Sequence, residues 1–261
     1  MKNLALHKWR NKQQSLGVWS SLPDIHLAEM LSRIGVDWIC FDLQHGLMDY
    51  SDLTRLLPAV TGVAVSPLVR VAANQPEQIG KALDVGAHGV IIPLINTEAD
   101  ARRAVAACYY PAKGQRSCGP IRDAMLEGLN YLTSANDEVA CILMVETEEG
   151  LRNLSAIAAV EGVTAIFVGP MDLTYGLGLR PGDFSHARFT EALAAIRKAC
   201  QDNGLACGIF GFNAATAAQS LADGFDFASI GTDISFAREG ASQALAIAQG
   251  QGRNTPARGG Y

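Results

Sequence analysis

The chain has 261 residues, 49% of them hydrophobic, enough apolar material for a large buried core in one or two domains. Its net charge of −5 and its lack of a basic run argue against a nucleic-acid partner. No apolar stretch approaches the roughly 20 residues that a membrane helix needs.

The opening segment, MKNLALHKWRNKQQ, is basic and polar without an apolar signal core, so no export is expected and the protein is read as cytoplasmic. Short apolar runs then predict strands over 16–20, 36–42, 64–71 and 89–95, followed in turn by helical patterns over 23–34, 50–60, 76–85 and 97–107. Residues 108–140 break the rhythm. Connections of this kind usually take about 2–6 residues, so the excursion implies a subunit contact or a cover for a site; one helix is indicated near 129–135. The second half resumes with strands over 141–146, 164–169, 205–210 and 226–231, alternating with helices over 148–159, 187–203, 213–222 and 235–249. Thr97 and Thr147 stand before acidic residues as N-caps, and Gly35, Gly86, Gly204 and Gly224 mark the return turns.

The strands are apolar throughout rather than alternating, as expected when both faces are buried in a parallel sheet. Eight strand–helix pairs in strict order predict an α/β fold of the (β/α)8 TIM-barrel type. The rival doubly wound sheet lacks support, because no G-x-G-x-x-G follows the first strand and no P-loop is present. Residues 1–250 read as one domain, and 251–261 as a polar, disordered tail. The six cysteines form no C-x-x-C pair and read as buried free thiols.

In a barrel of this kind the chemistry belongs at the C-terminal ends of the strands. The second strand ends in FDLQHG (41–46), where an apolar run gives way to Asp42, Gln44 and His45. Trp19, Ser20, Arg70, Pro93, Asn96, Glu146, Asp172, Phe210, Thr232 and Asp233 occupy matching places. Glu146 and Asp172 are expected at neighbouring strand ends. Two converging carboxylates would repel, and a divalent cation such as Mg²⁺ or Mn²⁺ resolves the conflict; helix capping is the alternative for each. Arg70 calls for an anion, either a substrate carboxylate or Asp42. His45 reads as a general acid/base oriented by Asp42 or another carboxylate, or else as a structural loop residue. None of the six lysines stands at a strand end, which disfavours Schiff-base chemistry. Gly211 and Gly231 mark a corner where barrels often hold phosphate, a plain turn being the alternative.

The series GVWSS, FDLQHG, PLVRV, LDVGA, IIP, YYPAKGQR, VET and VGPMDL, spread in order over about 15–245, resembles the HpcH/HpaI family of metal-dependent class II pyruvate aldolases, which includes 2,4-dihydroxyhept-2-enedioate and 2-keto-3-deoxy-sugar-acid aldolases. The resemblance implies a TIM barrel in a homo-hexamer, a trimer of dimers whose protomers exchange the last helix. It implies a carbon–carbon lyase that reversibly cleaves a 4-hydroxy-2-oxo acid to pyruvate and an aldehyde through a metal-stabilised enolate. Glu146 and Asp172 would bind Mg²⁺, Mn²⁺ or Co²⁺, and Arg70 would hold the keto oxygen. Backbone amides around Gly169, Pro170, Met171 and Asp172 would hold the carboxylate. His45 would be the acid/base, supported by Asp42 and by Asp84 of a neighbouring subunit, with Trp19 and Phe210 lining the pocket. Oxaloacetate decarboxylation is the alternative reaction, and a non-catalytic ligand-binding barrel a more distant one. Three residues depart from the common pattern: Gln44 stands where many relatives carry Glu, Met144 where a Gln is usual, and Phe210 where a smaller aliphatic is common.

Overall fold

A computed structural model describes residues 2–251. Eight parallel strands, β1 (Ser15–Ser20), β2 (Trp38–Asp42), β3 (Ser66–Arg70), β4 (Gly89–Ile92), β5 (Ala140–Met144), β6 (Ala165–Val168), β7 (Ala206–Ile209) and β8 (Phe227–Thr232), pair in sequence order, and β8 closes on β1. The first half is ringed by α1 (Leu4–Arg10), α2 (Ile25–Ser32), α3 (Tyr50–Ala59), α4 (Pro76–Asp84), α5 (Glu98–Cys108), α6 (Ile121–Glu127) and α7 (Asn130–Glu138). The second half carries α8 (Glu148–Arg152), α9 (Leu154–Ala158), α10 (Pro170–Gly176), α11 (Ala187–Asp202), α12 (Ala214–Ala222) and α13 (Asp233–Ala248). The fold is a (β/α)8 TIM barrel.

The uniform apolarity of the strands has a simple cause. Trp38, Cys40, Ile142 and Met144 point into the barrel, while their neighbours Ile39, Phe41, Cys141 and Leu143 face the helices. Successive side chains alternate, but both destinations are dry. The same phase decides the site. Asp42 follows Cys40 by two residues, Arg70 follows Leu68, and Glu146 follows Met144, so all three polar groups inherit the inward direction.

The interior is packed large against small. A Cβ on Gly17 would lie 2.0 Å from the Trp38 indole, and one on Gly208 would lie 2.3 Å from the Phe227 ring. Both glycines are therefore the complements of buried aromatics.

Four features differ from the sequence expectation. The basic opening segment contains α1, which closes the bottom of the barrel: Trp9 stacks on Phe227 with centroids 4.2 Å apart and donates to Ser15 Oγ at 2.8 Å. Asn3 caps this helix and ties it to the carbonyls of His88 and Glu138. The excursion carries two helices, α6 and α7, rather than one near 129–135. The helix expected over 148–159 breaks at Asn153 into α8 and α9. Strand β6 ends at Val168, and Asp172 stands in the first turn of the short helix α10 rather than at a strand end.

Five of the six cysteines are buried, Cys118 is exposed, and all six are free. Among the described residues no helix is long and apolar enough to cross a membrane. The expected disordered tail lies, from residue 252 on, outside the described residues.

Gly17→Ala is expected to overpack the Trp38 contact and lower stability by roughly 1–3 kcal/mol, read as a lower urea midpoint at unchanged slope.

Candidate active site

The site lies at the C-terminal mouth of the barrel, in a cavity of about 160 Å³. That is smaller than the ~300–1,000 Å³ typical of sites for drug-sized ligands. Trp19, His45, Arg70, Met144, Gly169 to Asp172, Phe167, Phe210 and Phe212 line it.

One side is polar. Asp42 and Arg70 end neighbouring strands in direct register. Arg70 donates to Asp42 from Nε at 2.8 Å and from Nη2 at 2.6 Å, a two-point fork that fixes the plane of the guanidinium. Trp19 Nε1 and the backbone N–H groups of Gln44 and His45 complete the shell around Asp42. Burial pushes the Asp42 carboxyl up, but the hydrogen bonds and charge of Arg70 outweigh it and hold the group below the usual range. The guanidinium also lies 5.1 Å above the Trp19 ring. Asp42 thus orients Arg70, and it reaches His45 through the backbone rather than through the ring.

Glu146 and Asp172 meet over Gly169. A Cβ built on Gly169 would sit 2.7 Å from Glu146 Oε2 and 3.8 Å from Asp172 Oδ2, so the glycine leaves room where both carboxylates converge. Neither acid caps a helix. Thr147 caps α8 by accepting from the Gly150 N–H, and α10 begins at Gly169 without a side-chain cap. Glu146 is buried, and its Oε1 accepts the Leu94 N–H at 2.9 Å. Leu94 reaches it with a φ of 56°, a left-handed turn unusual for leucine. Burial, reinforced by the negative charge of Asp172, raises the Glu146 carboxyl to about 7.

Two oxygen donors with space between them suit a hard divalent cation that keeps other positions for water and substrate. Among the described residues no group of three or more His, Cys, Asp or Glu side chains assembles, so the donor set rests on this pair.

Other expected residues fall elsewhere. Asp84 closes α4 and accepts from Arg116 Nη2 at 2.6 Å, beside a groove of about 730 Å³ between α4, α5 and the excursion. Within one protomer it does not join the site. Asp233 fastens the β1–α2 loop by accepting from the Ser21 and Leu22 N–H groups. Gly211 donates its N–H to Ser229 Oγ, so that amide of the suspected phosphate corner is engaged internally. Sequence reading missed the Leu94 amide, which no side-chain type announces. It also missed Phe212, whose signal was the F-G-F repeat of Phe210 to Phe212 after the seventh strand.

Residues 15–239 match the HpcH/HpaI aldolase/citrate lyase family. The chain is 35% identical to a hydroxypyruvate/pyruvate aldolase of Rhizorhabdus wittichii, over 92% of this chain and 96% of that protein. It is 36% identical to a 5-keto-4-deoxy-D-glucarate aldolase of Citrobacter koseri, over 89% and 91%. A solved HpcH/HpaI aldolase/citrate lyase family protein from Burkholderia cenocepacia superposes with a TM-score of 0.89 at 33% identity, covering 95% of this chain and all of that one. The chain belongs to the HpcH/HpaI aldolase/citrate lyase family, and it is a carbon–carbon lyase.

The raised Glu146 carboxyl sets a stability dependence in the metal-free protein. The folded chain keeps this proton up to about pH 7, while the unfolded chain loses it near 4.5. Stability therefore falls as pH climbs between those values and stays low above them. Chelator-treated Glu146→Gln is expected to melt several degrees above chelator-treated wild type at pH 8, and to lose that advantage near pH 4. Differential scanning calorimetry at the two pH values checks this.

Proposed function

We propose that the protein is a divalent-metal-dependent aldolase that reversibly cleaves a 4-hydroxy-2-oxo acid into pyruvate and an aldehyde. The observation that carries this reading is the convergence of the Glu146 and Asp172 carboxylates over Gly169, which lines the same small cavity as Asp172 and Arg70. Glu146 and Asp172 would hold the cation, Mg²⁺, Mn²⁺ or Co²⁺. When bound, it supplies a Lewis acid to the carboxylate and keto oxygens of the 2-oxo acid.

The remaining work belongs to the chain. Negative charge gathers on the keto oxygen as the carbon–carbon bond breaks, and Arg70 donates to it from a site drier than bulk water. Asp42 engages Nε and Nη2 of that guanidinium, which leaves Nη1 uncommitted among the described residues. Because the fork holds Arg70 in place before substrate arrives, little reorganisation is needed as the charge develops. The backbone around Pro170 to Asp172 opens α10 and presents N–H groups to the substrate carboxylate. His45, exposed on the β2–α3 loop, takes the proton from the substrate's 4-hydroxyl in cleavage and returns it in condensation. Trp19 and Phe210 shape the wall, and Met144 stands beside the metal-binding carboxylates, where it offers no amide to a bound water.

Residues 1–250 act as one domain in this reading, and the protomers assemble as a hexamer, a trimer of dimers that exchange α13. Assembly brings Asp84 of a neighbouring subunit to His45. The apolar surface left on α6, where Ile121 is 77% and Met125 75% exposed, supports burial between subunits. The free thiols fit a cytoplasmic, reducing setting.

Pyruvate release from 4-hydroxy-2-oxo acids is expected to stop with chelator and return with Mg²⁺, Mn²⁺ or Co²⁺. It is expected to be absent in Glu146→Gln and Asp172→Asn. Arg70→Lys, which keeps the charge but loses the fork, is expected to lower kcat by roughly a hundredfold or more. Full activity in a protein shown by elemental analysis to be metal-free would sink the reading.

A further inference from the structure

The cavity has two unlike halves. Asp172, Arg70 and His45 gather on one side with the buried Glu146 behind them. The other side is a continuous aromatic wall that runs outward from the floor. Phe167 stacks on Trp19 at 5.5 Å, Phe210 meets Trp19 edge-on at 5.3 Å, and Phe212 meets Phe210 edge-on at 5.2 Å. Phe184, on the loop between α10 and α11, stacks on Phe212 at 5.3 Å and carries the wall to the surface. These rings come from strands β1 and β6, the segment after β7 and the α10–α11 loop, yet they form one packed array, so the wall is in place before any ligand arrives.

We propose that the half of the site facing this wall is built for an uncharged aldehyde with an apolar tail. The inference rests on the aldolase reading above, which places pyruvate on the polar side and leaves the wall to the other product. Two facts set the class of that product.

The first is charge. Among the described residues Arg70 is the cation that lines the cavity, and the one other basic side chain there is the His45 imidazole. Arg70 is already paired with Asp42. A carboxylate, sulfonate or phosphate on the aldehyde tail would leave water for a face of phenyl rings, and Asp172, which also lines the cavity, is of like sign. The second is surface. Phe212 is half-buried, Phe184 is 37% exposed, and Met171, which also lines the cavity, is 44% exposed. An alkyl or aryl tail lying between Met171 and Phe212 would cover that apolar area, and the polarisable thioether adapts to tails of different shape. The small cavity limits the tail to a few carbon atoms unless it follows the wall outward.

The test uses wild-type enzyme loaded with metal and two substrates that differ in one terminal group. One is 4-hydroxy-2-oxoheptanoate, which yields pyruvate and butanal. The other is 4-hydroxy-2-oxoheptanedioate, which yields pyruvate and succinic semialdehyde. The expected result is a kcat/KM for the first that exceeds the second by at least about tenfold. Equal values, or a preference for the dioate, would overturn the apolar-tail inference and leave the aldolase reading standing. Release of pyruvate from neither, with metal present, would remove both. Phe212→Lys adds a cation to the wall and is expected to narrow the ratio by about tenfold. A ratio that does not move in a folded Phe212→Lys enzyme would show that the tail does not meet this wall.

Discussion

Everything at the mouth of this barrel hangs on the ion pair between Asp42 and Arg70. The parallel register sets these two residues opposite each other at the last rungs of β2 and β3. Alternation then turns both side chains inward, on the phase set by Cys40 and Leu68. A lone carboxylate there would bear the full cost of desolvation. With Arg70 bound at two points and three further donors around it, the carboxyl stays ionised. In return, the guanidinium is held in one plane over the Trp19 ring. The pair is therefore less a contributor to stability than a means of presenting a cation in fixed orientation, which is what a developing oxyanion requires.

The carboxylate pair across the cavity is the opposite case. Glu146 is buried beside Asp172, and burial first, with the negative charge of Asp172 after it, raises its carboxyl and favours a proton there. A bound divalent cation removes the need for that proton. The Leu94 amide holds Glu146 in place through a left-handed backbone turn that leucine seldom adopts, a small local strain spent on aiming this carboxylate. The barrel thus carries one charge pair that is satisfied internally and one that the chain leaves without a counter-charge of its own.

Legibility in the sequence varied with the kind of signal. The eight strand–helix units were readable because apolar runs, N-caps and return glycines repeated in register, and all eight strands are present in the expected order. Of the helices that escaped, α1 is short and basic on its outer face, and only Ala5, Leu6 and Trp9 betray its buried side. The break at Asn153 and the helix α10 escaped for a related reason. Pro170 can open a helix as readily as end a strand, and only the packing of Leu173 and Thr174 decides which.

What the sequence by itself determined is the architecture and the inventory of the site. Period, caps and apolar runs dictate a closed parallel barrel, and a barrel places Asp42, Arg70, Glu146 and Asp172 at one end. What only the tertiary structure decided is how those groups share their charge. Asp42 could have served His45 or Arg70, and Glu146 could have capped a helix. Strand register gave Asp42 to Arg70, and Thr147 took the cap, so Glu146 was left to face Asp172. The aromatic wall likewise exists only in space. Phe210 and Phe212 share one short repeat, but Phe167 and Phe184 lie on separate segments, and no local pattern relates them to it. They meet because β6, β7 and the α10–α11 loop converge at the same edge of the mouth. Local chemistry is written in short range, whereas partnership depends on which long-range neighbour the closed sheet brings within hydrogen-bonding distance.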